Sequence, residues 1–177
     1  MKIETIRHLF TFIILCLVQV LVLNHINILG CATPLLYVYF IMLFRRGYPR
    51  WAVLAWSFAI GLCVDVFSNT PGVGAASATL LGLLQPYLLG LFTQRDSPDD
   101  MKPTMKEFGT TRYVYYTIIC VVVFNLVFFS IESFSFFNWL QWAKNIGGSS
   151  ALTAILIIVI ENFRKRLKPP RRAKGAG

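Results

Sequence analysis

The chain has 177 residues, of which 56% are hydrophobic and 14% are charged, and its formal net charge is +9. Soluble globular domains are about 45–50% apolar and about 25% charged, so this composition excludes an ordinary soluble domain and indicates lipid-facing surface. The basic residues lie at the ends of apolar stretches and are not interleaved with exposed aromatics, which argues against nucleic-acid binding.

Six apolar stretches are close to the length of about 20 residues that a helix needs to cross a bilayer. We predict six transmembrane helices, at residues 9–28, 29–44, 51–67, 73–92, 113–131 and 146–163. The predicted fold is therefore an all-α integral membrane protein, with residues 1–167 as one six-helix domain. Residues 168–177 are rich in Lys, Arg, Pro and Gly, and we predict a disordered basic tail there.

The basic residues predict the orientation of this bundle. When six spans are counted, all seventeen Lys and Arg residues except Lys144 fall on one side of the membrane. Because cytoplasmic loops retain Lys and Arg, we predict that both termini are cytoplasmic. Cleavage of the first stretch as a secretory signal would leave five spans and divide the basic residues between the two sides, so we expect that stretch to be retained.

The sequence offers little material for catalysis. None of the four cysteines has the spacing of a metal or redox site. The two histidines, His8 and His25, lie at opposite ends of the first predicted span and cannot share a metal ion. Motifs typical of hydrolases, metalloproteases and phosphate-binding loops are lacking. We therefore expect a protein that is not an enzyme and holds no cofactor.

Asp65 is the ionisable residue that stands out within the predicted spans. It lies near the outer end of residues 51–67. A carboxylate at a helix centre costs roughly 2.5–3.5 kcal/mol on insertion scales, and less towards the end of the span. Asp65 either accepts hydrogen bonds from the turn formed by Ser68, Asn69 and Thr70, or it binds a partner or an ion. The local structural role is the favoured interpretation.

Small residues recur at every fourth position of the fourth predicted span, at Gly74, Ala78 and Gly82. Such a stripe lets another helix approach closely, and we favour packing within the bundle over a contact between molecules. Further along, Pro86 predicts a kink, and Gln85 requires a hydrogen-bond partner inside the bundle.

The outer loop before the sixth predicted span is rich in aromatic residues. It contains Phe136, Phe137, Trp139 and Trp142. A segment of this composition either lies flat at the outer leaflet or serves as a docking surface for a partner, and the interfacial interpretation is favoured.

Residues 61–76, with the sequence GLCVDVFSNTPGVGAA, resemble the MreD family of rod shape-determining membrane proteins of bacteria. In that family an aspartate follows a glycine in an apolar span, and a turn rich in Pro and Gly opens a span rich in small residues. Here the turn contains Pro71 and Gly72. Outside this motif, the chain is similar to the family in its length and in its six predicted spans.

The resemblance implies a scaffold of the cell-elongation machinery in the bacterial cytoplasmic membrane. Members of the family associate with MreC, which has a single span, and through it with the MreB cytoskeleton and with the glycosyltransferase and transpeptidase that make peptidoglycan. The candidates for contact with the partner or for packing within the bundle are Asp65, Pro71, Gly72, Gly74, Ala78 and Gly82.

An alternative function comes from the same resemblance, because the family is similar in fold to the substrate-binding subunits of energy-coupling vitamin transporters. In that case polar and aromatic residues at the outer face would contact a small ligand. The candidates are Asp65, Asn69, Glu132, Asn138 and Trp139.

Overall fold

The computed structural model describes residues 2–21, 34–93, 103–132 and 139–167, and the regular structure in these ranges is entirely α-helical. The helices are α1 (Lys2–Leu21), α2 (Val38–Met42), α3 (Arg50–Ser68), α4 (Val73–Phe92), α5 (Met105–Phe108), α6 (Thr110–Glu132) and α7 (Trp139–Leu167). Within the described residues, four helices are long and apolar enough to cross a membrane: α3, α4, α6 and the Trp142–Arg166 part of α7. The all-α fold is thereby confirmed, and these four helices coincide with the third to sixth predicted spans.

The first predicted span corresponds to α1, which begins earlier than the prediction. Its apolar part, Thr5–Leu21, is shorter than the other four helices. Residues 22–28 of the prediction lie outside the described residues, as does the predicted tail at residues 168–177. The predicted loop between the fourth and fifth spans is described from residue 103 onward, where it contains the short helix α5.

The long helices form an arc around α2. Neighbours along this arc are α1 and α3, α3 and α4, α4 and α6, and α6 and α7, while α2 contacts α1, α3, α4 and α6. The most extensive pairing is between α3 and α4. Because α1 and α7 are the two ends of the arc and are not extensively paired, a seam separates them.

The second predicted span is wrong for the part that is described. We predicted a helix over residues 29–44, but residues 34–37 form a turn and α2 has only five residues, all of them buried. A helix that is apolar all round suits either lipid or a protein core, and hydropathy does not separate the two cases. Here the apolar run is the centre of the core.

Side chains from two other helices replace the hydrogen bonds that this turn does not make internally. The amide of Gln19 in α1 donates to the carbonyl of Pro34 at 3.0 Å and accepts the N–H of Leu36 at 2.8 Å. The Thr153 hydroxyl in α7 accepts the N–H of Leu35 at 3.0 Å. Non-helical backbone at membrane depth is stable only when it is satisfied inside the protein, and these two side chains satisfy it.

The other end of α2 is joined to α4. The Gln85 amide, which is buried, donates to the carbonyl of Phe44 at 3.1 Å. This contact confirms the prediction that Gln85 has a partner inside the bundle. Pro86 lies within α4, whose helical assignment continues on both sides of it.

The basic residues of several helices lie at one end of the bundle, which we name the basic end. There His8 of α1 stacks on Phe44, with ring centroids 4.9 Å apart. Two further contacts join other helices at the same end: the Arg50 guanidinium lies 5.6 Å from the ring centroid of Tyr87, and Lys165 donates to the Thr110 hydroxyl at 3.3 Å. The opposite end carries the α3–α4 turn, and we name it the hairpin end.

Candidate functional site

The turn between α3 and α4 reverses the chain with two residues in the left-handed region. Asn69, at φ 56°, ends α3, and its N–H bonds the carbonyl of Asp65. Gly72, at φ 86°, immediately precedes α4. Asn and Gly are among the residues that tolerate positive φ best, so the Asn-Thr-Pro-Gly sequence is suited to this turn.

Asp65 caps the first turn of α4 from the neighbouring helix. Its Oδ1 accepts the N–H of Gly74 at 2.8 Å and the hydroxyl of Thr70 at 3.1 Å, and its Oδ2 accepts the N–H of Ala75 at 2.9 Å. The N-terminal N–H groups of a helix lack intrahelical partners and carry partial positive charge, so they stabilise a carboxylate. The N-cap residue Gly72 has no side chain to do this, and Asp65 takes that role. We name this arrangement the Asp65 clasp.

Two glycines allow the Asp65 clasp to close. A Cβ on Gly61 would lie 2.6 Å from both the Cα of Ala75 and the carbonyl oxygen of Gly74. A Cβ on Gly74 would lie 2.5 Å from Oδ1 of Asp65. Both contacts are closer than real Cβ atoms make, so the two backbones meet only because these positions lack side chains.

The small-residue stripe of α4 continues this contact along α3. Ala78 is fully buried, and a Cβ on Gly82 would lie 2.5 Å from the hydroxyl oxygen of Ser57 in α3. The stripe therefore lies against α3 within the same chain. Its members Gly74, Ala78 and Gly82 are all covered by the bundle, while Pro71 and Gly72 of the turn are exposed.

A buried phenol borders the Asp65 clasp. The Tyr37 hydroxyl would lie 3.1 Å from a Cβ on Gly74, and its ring packs edge-on against Phe124 with centroids 5.3 Å apart. Within the described part of the chain this hydroxyl has no hydrogen-bond partner. Tyr37 could not be singled out from the sequence, because it belongs to an apolar run of the length and composition of a lipid-facing span.

The aromatic segment predicted to lie flat at the outer leaflet is described only in part. Phe136 and Phe137 lie outside the described residues, and so do Asn138 and the side chain of Trp139. Trp139 begins α7, and Trp142 packs against the core from within that helix. Residues 139–142 are therefore the first turn of a long helix and not a separate segment.

A second polar cluster lies at the basic end, and sequence reasoning missed it as a unit. The Tyr39 hydroxyl donates to Oε2 of Glu161 at 2.7 Å. Nη1 of Arg164 donates to the Tyr39 hydroxyl at 3.1 Å and to Oε2 of Glu161 at 3.4 Å. The (i, i+3) spacing of Glu161 and Arg164 was a usable signal, but Tyr39 lies more than a hundred residues away in sequence. We name these three residues the Tyr39 triad.

Two cavities flank α1 at the basic end. One, of about 240 Å³, lies between α1, α2 and α7 and is bordered by Tyr39 and Arg164. The other, of about 600 Å³, lies between α1 and the start of α3 and is bordered by Trp51 and Trp56. No residue of the Asp65 clasp is among the residues that line either cavity.

Comparison with known proteins identifies no relative: no protein-family model, no curated protein and no solved structure matches this chain. The resemblance to MreD therefore rests on the pattern of residues 61–76 and on the number of predicted spans.

Proposed function

We propose that this protein is a non-enzymatic scaffold of the bacterial cell-elongation machinery, as its resemblance to MreD implies. In this proposal it lies in the cytoplasmic membrane with the basic end inside, and the hairpin end docks a partner that has a single span and is similar to MreC. Through that partner the complex reaches the MreB cytoskeleton and the glycosyltransferase and transpeptidase that extend the side wall.

The Asp65 clasp is the observation that supports this proposal most strongly. The aspartate and glycines that resemble MreD form one structural unit, in which Asp65 and Gly61 hold α3 against the start of α4. Both carboxylate oxygens of Asp65 accept backbone N–H groups, and its side chain is only 2% exposed. A carboxylate held in this way stabilises the shape of a surface and is poorly placed to bind a substrate.

The surface that this unit shapes is apolar and accessible. Val66 and Phe67, which follow Asp65 in α3, are 72% and 65% exposed. The turn residues Pro71 and Gly72 continue this surface. A transmembrane helix of a partner would cover Val66 and Phe67 by close packing, and its residues outside the membrane would meet the turn.

Affinity purification of a tagged copy from its bacterial host, in a mild detergent and with mass spectrometry, tests the proposal. We expect an MreC-like protein and the peptidoglycan synthases to co-purify. Phe67→Ala should lower the recovery of the partner several-fold, because it removes an aromatic anchor from the docking surface.

Phe163→Ala is the matched control, since Phe163 has the same 65% exposure but lies near the basic end of α7. This variant should recover the partner at the wild-type level. Equal recovery with both variants would contradict docking at the hairpin end. Recovery of an ATPase and its coupling subunit in place of the MreC-like protein would contradict the scaffold and favour the transporter alternative.

A further inference from the structure

The cavity of about 240 Å³ at the basic end combines positive charge with apolar walls. Arg7 and His8 of α1 face it on one side, and Ile160 and Arg164 of α7 on the other. Leu43, just beyond the end of α2, contributes to its apolar lining. At about 30 Å³ for each water-sized group, the volume has room for about eight of them.

The charges around this cavity do not cancel. Arg164 is balanced by Glu161, with which it forms an ion pair at 3.4 Å. Arg7 has an exposed side chain and, among the described residues, no carboxylate partner. Among the described residues, those that line the cavity include no acidic residue. A net positive charge is therefore left at the cavity, and an anion would neutralise it.

The Tyr39 triad presents hydrogen-bond donors at this cavity. Its bonds use only Nη1 of Arg164, and a guanidinium has five N–H groups, so the hydrogen bonds of the triad leave the donors on Nε and Nη2 unused. Because Glu161 and Tyr39 hold the guanidinium, little side-chain entropy is lost when it binds. Arginine pairs with phosphate through two parallel hydrogen bonds, which a monatomic halide cannot accept in the same way.

We propose that this cavity binds a phosphate group between Arg7 and Arg164. The group comes either from the headgroup of an anionic membrane lipid or from a soluble phosphate compound. The location favours the lipid: the cavity lies in the seam between α1 and α7, and Leu43 and Ile160 add apolar side chains to its lining. Basic pockets between transmembrane helices are recognised sites for lipid headgroups. This inference is independent of the proposed scaffold function.

Native mass spectrometry of the protein in a maltoside detergent tests the proposal with three probes. They are dioctanoyl phosphatidylglycerol, dioctanoylglycerol, which has the same chains without phosphate, and inorganic phosphate as a competitor. We expect the phosphatidylglycerol to bind at least tenfold more tightly than dioctanoylglycerol. Displacement by inorganic phosphate would assign the site to a soluble phosphate, and failure to displace would assign it to the lipid; either result supports a phosphate site if the variants below behave as expected.

Arg7→Gln is the decisive variant, because an exposed side chain with no partner can be replaced without harming the fold. We expect it to weaken binding of phosphatidylglycerol about tenfold, which corresponds to about 1.4 kcal/mol. Arg166→Gln is the matched control: it removes the same charge from α7, and its side chain is exposed and does not line the cavity. It should change binding by less than twofold.

A substitution of Arg164 is a second probe of the same site. Arg164→Lys keeps the charge that balances Glu161 but removes the paired N–H groups, and we expect an affinity between those of wild type and Arg7→Gln. Equal losses in Arg7→Gln and Arg166→Gln would overturn the proposal, because the effect would then reflect net charge alone. Equal affinity for phosphatidylglycerol and dioctanoylglycerol, or no binding of the phosphatidylglycerol, would also overturn it.

Discussion

Two carboxylates are buried among the described residues, and their hydrogen-bond partners differ. Asp65 at the hairpin end is 2% exposed and accepts hydrogen bonds from two backbone N–H groups and one hydroxyl. Glu161 at the basic end is 3% exposed and is held by the side chains of Tyr39 and Arg164 beside a cavity.

Burial alone therefore does not indicate what an acidic residue does. Backbone donors at a helix N-terminus are fixed by the helix, so Asp65 has no other arrangement available without disrupting α4. Side-chain donors can rotate, and water can enter a cavity, so Glu161 can be partly resolvated if a partner is lost. The hairpin end is accordingly the rigid region, and the basic end is the adaptable one.

Gly61→Ala should have the largest effect on stability, because it forces the rigid region apart. The new Cβ would meet the backbone of Gly74 and Ala75 and not a flexible side chain. We expect the free energy of unfolding to fall by about 3 kcal/mol, at the upper end of overpacking effects. Unfolding by SDS titration in mixed micelles measures it.

Gly90→Ala in α4 is the control for that experiment. A Cβ there would meet nothing within 4 Å, so the helix should be stabilised by roughly 0.5–1 kcal/mol. If Gly61→Ala were as stable as Gly90→Ala, the close contact of α3 and α4 would be refuted.

Isosteric replacement of each carboxylate tests whether the rigid region tolerates the change less well than the adaptable one. Asp65→Asn sets an NH₂ group against a backbone N–H, so we expect the free energy of unfolding to fall by about 2 kcal/mol. Glu161→Gln keeps an acceptor for Tyr39, and water can solvate the Arg164 charge. We therefore expect the free energy of unfolding to fall by only about 1 kcal/mol. The same SDS titration compares them. A larger loss for Glu161→Gln would reverse the assignment of the rigid and adaptable regions.

Two buried amides bond the backbone on either side of α2: Gln19 at the turn before the helix and Gln85 at Phe44 beyond its end. Gln19→Leu removes the partners of the Pro34 carbonyl and the Leu36 N–H, and we expect a loss of about 2 kcal/mol. Gln85→Leu removes one partner, that of the Phe44 carbonyl, and should cost about half as much. Equal stability of Gln19→Leu and wild type would show that the turn is not held by α1.

Tyr39→Phe should lower the free energy of unfolding by about 1 kcal/mol, no more than Glu161→Gln, because it removes one hydroxyl from the adaptable region. Tyr115→Phe, at an exposed position of α6, is the control and should change stability by less than about 0.5 kcal/mol. Thermal unfolding in detergent resolves the two. An effect of Tyr39→Phe as large as that of Asp65→Asn would contradict an adaptable basic end.

Hydropathy and charge predicted α3, α4, α6 and α7. Local sequence predicted that Asp65 accepts a hydrogen bond from Ser68, Asn69 or Thr70, and the structure shows the one from Thr70. The backbone donors of Gly74 and Ala75 were not predicted, because they depend on how closely two helices approach. The contacts of Tyr39 with Glu161 and of Leu35 with Thr153 join residues more than a hundred positions apart. No periodicity carries such information, and hydropathy interpreted the buried α2 as a lipid-facing helix.

Site-specific photocrosslinking in the bacterial host tests the docking surface most directly. A photoreactive phenylalanine analogue is placed at position 67 in one strain and at position 163 in another, and the crosslinked proteins are identified by mass spectrometry. If the partner docks at the hairpin end, we expect a crosslink to a single-span, MreC-like protein from position 67 and none to that protein from position 163. A crosslink to it from position 163 alone would contradict docking at the hairpin end.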